Sequence, residues 1–229
     1  MNNLLILHGA IGSVKQFTHL IRFLESDFKV YAIDFSGHGG SEIPAEDFTI
    51  EMFANDVLDW MAKKEIDKID IFGYSMGGYV GLFLARFYPE KIGRVFTLAT
   101  KFHWHEETAK HEASMLDPDK IMDKFPAFAE ELKHRHAPED WAEVLRKTAK
   151  MMIALGHNNT LKDADFRAIE NTVLVSVGDR DKMVSIEETL GVYRQLKNGQ
   201  MLVLPDTYHP IEKVSGDKLI HEIIDFFKV

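Results

Sequence analysis

Six short runs along the chain are apolar and β-branched with little polar alternation: Asn3–Leu7, Lys29–Ile33, Lys68–Phe72, Arg94–Leu98, Thr172–Val177 and Gln200–Leu204. Strands covered on both faces show this pattern, because neither face needs polar side chains. Between the runs lie stretches of helical period: Val14–Glu25, Ile50–Lys64, Met76–Tyr88, Ser185–Leu196 and Lys213–Phe227. In the second of these, Phe53, Val57, Trp60 and Met61 recur at helical spacing with acids on the other side. Pro89 closely follows the third, as befits a residue that cannot continue a helix. Strands alternating with helices imply right-handed crossovers and a parallel sheet, hence an α/β fold.

The rhythm breaks between Lys101 and about Arg167, where no run reads as a strand and several short helices are expected. Asp117-Pro118 and Ala137-Pro138 are predicted helix starts, with proline in the first turn. Trp141, Val144, Leu145, Thr148, Met152 and Leu155 form an apolar stripe, and Gly156 is its predicted stop. The expected organisation is a core made of residues 1–100 and 168–229, with a helical insertion over 101–167 between the fourth and fifth strands. No internal repeat or low-complexity tract interrupts it.

Composition narrows the function classes. At 229 residues with 45% apolar content, the chain suits one domain with a modest insertion. No run approaches the roughly 18 consecutive apolar residues of a membrane span. The opening "MNNLLILHGAIG" has no basic leader region and enters a strand pattern at once, so no signal peptide is expected. The absence of cysteine rules out disulfides, thiolate metal sites and cysteine nucleophiles, and fits a cytoplasmic setting. With a net charge of -9 and bases scattered among acids, neither nucleic acid nor an anionic membrane is an expected partner. The sequence carries no signal for an oligomeric state.

The chemistry centres on Gly73-Tyr74-Ser75-Met76-Gly77, placed where a strand pattern gives way to a helical one. Such a strand–turn–helix bend strains the serine backbone, needs small neighbours and leaves the hydroxyl exposed above the sheet. An incidental serine in a glycine-rich turn is the plainer alternative. A serine hydroxyl needs a base and a group to orient that base. Asp179 and Asp181 follow the fifth predicted strand, and His209 follows the sixth, so Ser, Asp and His all lie just past strand ends. An alkoxide formed at the serine would meet the backbone N–H of Met76, at the start of the helix.

Four segments in order resemble the α/β-hydrolase superfamily over nearly the whole chain. They are His8-Gly9-Ala10-Ile11-Gly12-Ser13, Asp34-Phe35-Ser36-Gly37-His38-Gly39-Gly40-Ser41, Gly73–Gly78 as the nucleophile elbow, and Gly178-Asp179-Arg180-Asp181 with Val184. The resemblance implies strand order 2-1-3-4-5-6, singles out Asp181 over Asp179 as the acid, and assigns the second oxyanion donor to Ala10. Asp179 is then expected to fix its turn. His8 is expected to brace the oxyanion loop, and His38 to bond backbone in its glycine-rich turn. Where the family usually has Gly-His, this chain has Tyr208-His209.

In such proteins an insertion after the fourth strand commonly caps the site. Phe102, Trp104, Met115 and Met152 are the predicted substrate contacts, set against the plainer reading that most insertion aromatics and methionines form its own core. The pairs "HWH" and "HRH" bring His103, His105, His134 and His136 close in sequence, yet alternate spacing does not suit metal ligation on a helix. These histidines, with His111 and His157, are expected to be solvated. The expected activity is that of a serine hydrolase acting on a small-molecule ester or similar acyl bond, with no cofactor and no metal. The same three side chains also serve carbon–carbon bond hydrolases, lyases, cofactor-free haloperoxidases and aminopeptidases, and a non-catalytic binding protein is the remaining alternative.

Overall fold

Alternate residues of the strands feed two different cores, which explains their uninterrupted apolar character. In a computed structural model, which describes residues 1–228, Leu4 and Ile6 of β1 (Asn3–Leu7) pack to one side. Leu5 and Leu7 pack to the other. Phe72 and Ile71 of β3 (Ile69–Tyr74) divide in the same way, as do Phe96 and Val95 of β4 (Ile92–Leu98). Strand side chains alternate faces, so a sheet covered on both sides demands apolar residues at every position. With β2 (Lys29–Ile33), β5 (Val173–Gly178) and β6 (Gly199–Leu204), they form a six-stranded sheet in the order β2-β1-β3-β4-β5-β6. Every pairing is parallel. This is the predicted fold class and strand order. Val229, at the end of the predicted core segment, lies outside the described residues.

Helices α1 (Thr18–Leu24) and α10 (Gly216–Phe227) cover one face. The other is covered by α2 (Ile50–Lys63), α3 (Met76–Phe87) and α9 (Ile186–Tyr193). The first predicted helix is split, since Val14–Phe17 forms a 3-10 turn before α1. The last starts later than expected, at Gly216 behind Ser215.

Between β4 and β5 the chain forms α4 (Glu106–Ser114), α5 (Pro118–Lys124), α6 (Pro126–His136), α7 (Trp141–His157) and α8 (Asp163–Ala168). Asp117 caps α5 through its carboxylate, as its Asp-Pro start predicts. Ala137-Pro138 is not a helix start. Ala137 ends α6, and α7 begins at Trp141, where the Asp140 carboxylate accepts from the Ala142 N–H. A second proline start, Pro126 of α6, goes unmarked because Phe125 supplies no side-chain cap. Gly156 is not a stop either. A Cβ there would lie 2.5 Å from Ala109 Cβ, so the glycine lets α7 cross closely over α4. The α7 stripe faces inward, with Val144, Leu145 and Thr148 fully buried. No helix among the described residues is long and apolar enough to cross a membrane.

Candidate active site

Ser75 joins β3 to α3 with φ at 51° and ψ at -117°, a backbone conformation rarely adopted by a residue with a side chain. Its surroundings hold it there. The Ser75 N–H donates to Leu98 O at 2.8 Å, while Ser75 O accepts from Gly78 N–H at 3.0 Å and from the Thr100 hydroxyl at 3.0 Å. The bend brings chain so close that a Cβ at Gly73 would lie 2.5 Å from Gly77 O and Gly78 N.

Two loops beyond the strand ends meet this serine. His209, past β6, has Nε2 3.4 Å from Ser75 Oγ and Nδ1 2.8 Å from Asp181 Oδ2. The Asp181 side chain is fully buried, and its other oxygen accepts from the N–H groups of Met183 and Val184. Asp181 faces the imidazole. Asp179 instead accepts from Thr207 N–H at 3.2 Å, tying the β5 loop to the β6 loop rather than closing its own turn. The Tyr74 hydroxyl donates to His209 O at 2.9 Å, and burial pushes its phenol well above the usual range. Sequence reasoning passed over Tyr74, since the Gly-x-Ser-x-Gly pattern leaves that position unspecified.

Ala10 and Met76 flank Ser75 in the wall of a cavity of about 460 Å³. Neither of their N–H groups donates in a backbone hydrogen bond among the described residues. Met76 opens α3, where helix geometry leaves the first amides unsatisfied. The cavity walls are mainly apolar, with Tyr79, Trp104, Leu116, Met151, Met152 and Leu155 among them. Of the predicted contacts, Trp104 and Met152 line the interior and Met115 lies at the exposed mouth. Phe102 does not reach the cavity. Its ring packs edge-on against Phe166 of α8, because Glu188 holds the N–H groups of Phe102 and His103 and turns the segment away.

His8, His38 and His136 form a buried chain of rings, with centroids 5.3 and 5.7 Å apart. His8 holds Gly9 O through Nδ1 at 2.7 Å and accepts from Phe35 N–H through Nε2. His38 Nδ1 lies 3.0 Å from Ser36 O, in keeping with the backbone role expected of it. Burial pulls His8 and His136 down to about 4 and His38 well below its ordinary value, so all three rings are neutral at pH 7. His136 corrects the expectation of a solvated residue. The signal for it was present, because Ala129, Leu132 and His136 share one buried face of α6. His105, His111, His134 and His157 are exposed. No group of three or more His, Cys, Asp or Glu among the described residues is arranged to hold a metal ion.

An all-parallel six-stranded sheet of this order, with helices on both faces, is an α/β-hydrolase type of fold. Residues 2–140 match the sequence profile described as alpha/beta hydrolase fold, and the chain belongs to that family. The 3-hydroxybutyrate-oligomer hydrolase of Cupriavidus necator is 22% identical over 244 residues, covering 90% of this chain and 82% of the relative. A Mycobacterium tuberculosis protein is 28% identical over 96 residues, and that match spans 42% of this chain and only 28% of the relative's length. Among solved structures, the enol-lactonase from Burkholderia xenovorans superimposes with a TM-score of 0.80 at 20% identity. That alignment covers 100% of this chain and 92% of the lactonase.

Proposed function

We propose that the protein is a serine hydrolase that cleaves a carboxylic ester or related acyl bond of a small, partly apolar, uncharged molecule through an acyl-enzyme. Ser75 Oγ attacks the carbonyl carbon as its proton passes to His209 Nε2, and Asp181 orients the ring and stabilises its charged form. The oxyanion accepts from the N–H groups of Ala10 and Met76, each worth about 3 kcal/mol in the transition state. Collapse expels the alcohol, protonated by His209. Water, activated by the same ring, then frees the acid and restores Ser75.

The observation that carries this reading is the continuous Asp181–His209–Ser75 contact, at 2.8 and 3.4 Å, opening into an apolar cavity. The ionisable groups around that cavity balance, with Lys101, Arg135 and Lys213 against Glu112, Glu131 and Glu212, which favours a neutral substrate. In this reading the helices between β4 and β5 act as a cap, and Trp104, Met115 and Met152 contact the substrate. The hydrolase named for 3-hydroxybutyrate oligomers, among the relatives, is in keeping with acyl-bond cleavage.

A fluorophosphonate probe is expected to label Ser75. Ser75→Ala is expected to abolish labelling and lower turnover of short-chain esters by roughly 10⁴-fold or more. Labelling without turnover across a panel of esters, thioesters and amides would move the reaction to another chemistry of the same triad. Well-folded protein that resists the probe would remove the enzyme reading.

A further inference from the structure

Ile11 sits in the turn beside the oxyanion donor with φ at 52°, a genuine outlier for a β-branched side chain. Strained residues persist only where their surroundings over-determine them. Here the restraint comes from α6. Arg135 Nη1 donates to Ile11 O at 3.0 Å, and His136 Nε2 lies 3.1 Å from the same oxygen. A carbonyl only accepts, so the His136 ring carries its proton on Nε2. Its Nδ1 is left to accept from Gly39 N–H at 3.3 Å.

The grip reaches the reacting centre through two peptide planes. In a trans peptide the C=O and N–H point in opposite directions. Holding Ile11 O therefore aims Gly12 N–H the other way, and it donates to Gly9 O at 3.1 Å. Gly9 O in turn belongs to the peptide that carries the Ala10 N–H on its far side. Arg135 also pairs with Glu131, and lies 3.6 Å from Glu212, which accepts from Gln16 Nε2 at 2.6 Å. Two carboxylates already compensate the guanidinium, which argues for a structural tie rather than capture of an anionic substrate.

We propose that Arg135 and His136 are positioning residues for the oxyanion donor, so that helix α6 sets the direction of the Ala10 N–H as well as walling the cavity. This rests on the serine-hydrolase reading. Arg135→Met and His136→Leu are each expected to lower kcat for a short-chain ester roughly tenfold, as partial loss of one oxyanion donor would, with KM changed less than about twofold. Affinity for a trifluoromethyl ketone, whose adduct on Ser75 carries the oxyanion, should fall by the same factor. His136→Gln, which keeps an N–H able to reach Ile11 O, should recover most of both losses.

A purely structural role would lower the melting temperature without this parallel between kcat and adduct affinity. Folded Arg135→Met with wild-type kcat and wild-type ketone affinity overturns the positioning role and leaves the hydrolase reading intact. Wild-type protein that neither turns over esters nor binds the ketone overturns both. Should His136→Leu fail to fold, Arg135→Met at the cavity wall decides the question alone.

Discussion

Tyr74 shows how much of a site can rest on a residue that no motif names. Its hydroxyl donates to the His209 carbonyl, so the side chain beside Ser75 steadies the loop that carries His209. Tyr74→Phe keeps the ring and removes one hydrogen bond of about 1 kcal/mol, and we expect kcat to fall roughly fivefold at unchanged KM. Steady-state kinetics would check this, and an unchanged kcat would show that packing alone holds the loop. The spacing of Ser75, His209 and the two aspartates was readable in the chain. Spacing alone does not choose between the aspartates, which lie equally near in sequence; the family resemblance points to Asp181, and the turn geometry sends that carboxylate to the ring and Asp179 to Thr207. Phe102 and Trp104 carry the same lesson. Both are aromatic and close together, yet a carboxylate on α9 fixes which of them faces the cavity.

Element boundaries were legible wherever local chemistry alone decides them. Asp117 caps its helix through its own carboxylate as its Asp-Pro start implies, and the six strands fall within about two residues of their apolar runs. What local chemistry leaves out is which helices touch. Gly156 reads as a terminator in sequence and serves as a contact in space. Gly156→Ala is expected to cost about 2 kcal/mol through overpacking against Ala109 and the backbone at His105. Gly191, in α9, has nothing within 4 Å of where a Cβ would stand. Gly191→Ala should therefore raise stability by about 0.5–1 kcal/mol. Urea unfolding of both variants checks the pair, and equal shifts of the same sign would refute the packing account.

Across the whole molecule, the three neutral histidines make stability depend on pH. Their values are lowered by burial, so the unfolded chain takes up protons first as pH falls from about 6.5. The stabilisation is complete above that value and is lost progressively toward about 4. Each ring contributes a slope of up to about 1.4 kcal/mol per pH unit, so unfolding free energy should drop by roughly 3 kcal/mol between pH 6.5 and 5.5. Burial raises Asp34, Asp56 and Asp70, which work in the opposite sense nearer their own range, so the window above pH 5.5 gives the cleaner reading. Urea titrations at pH 7.5, 6.5 and 5.5 would test it, and a flat profile would contradict the neutral cluster. The α/β architecture was legible because it follows from patterns repeated along the chain. The histidine cluster was not, because its members come from three separated segments. Finally, β4 and β5 are adjacent and parallel, so the polypeptide that departs after Leu98 must come back down the sheet to enter β5 at Val173, opposite Val95. Recombination between Leu98 and Val173 would exchange the intervening helices as a single cassette. A cassette without donors for Ile11 would arrive over an intact floor with a slackened turn, and that would limit which roofs evolution can graft here.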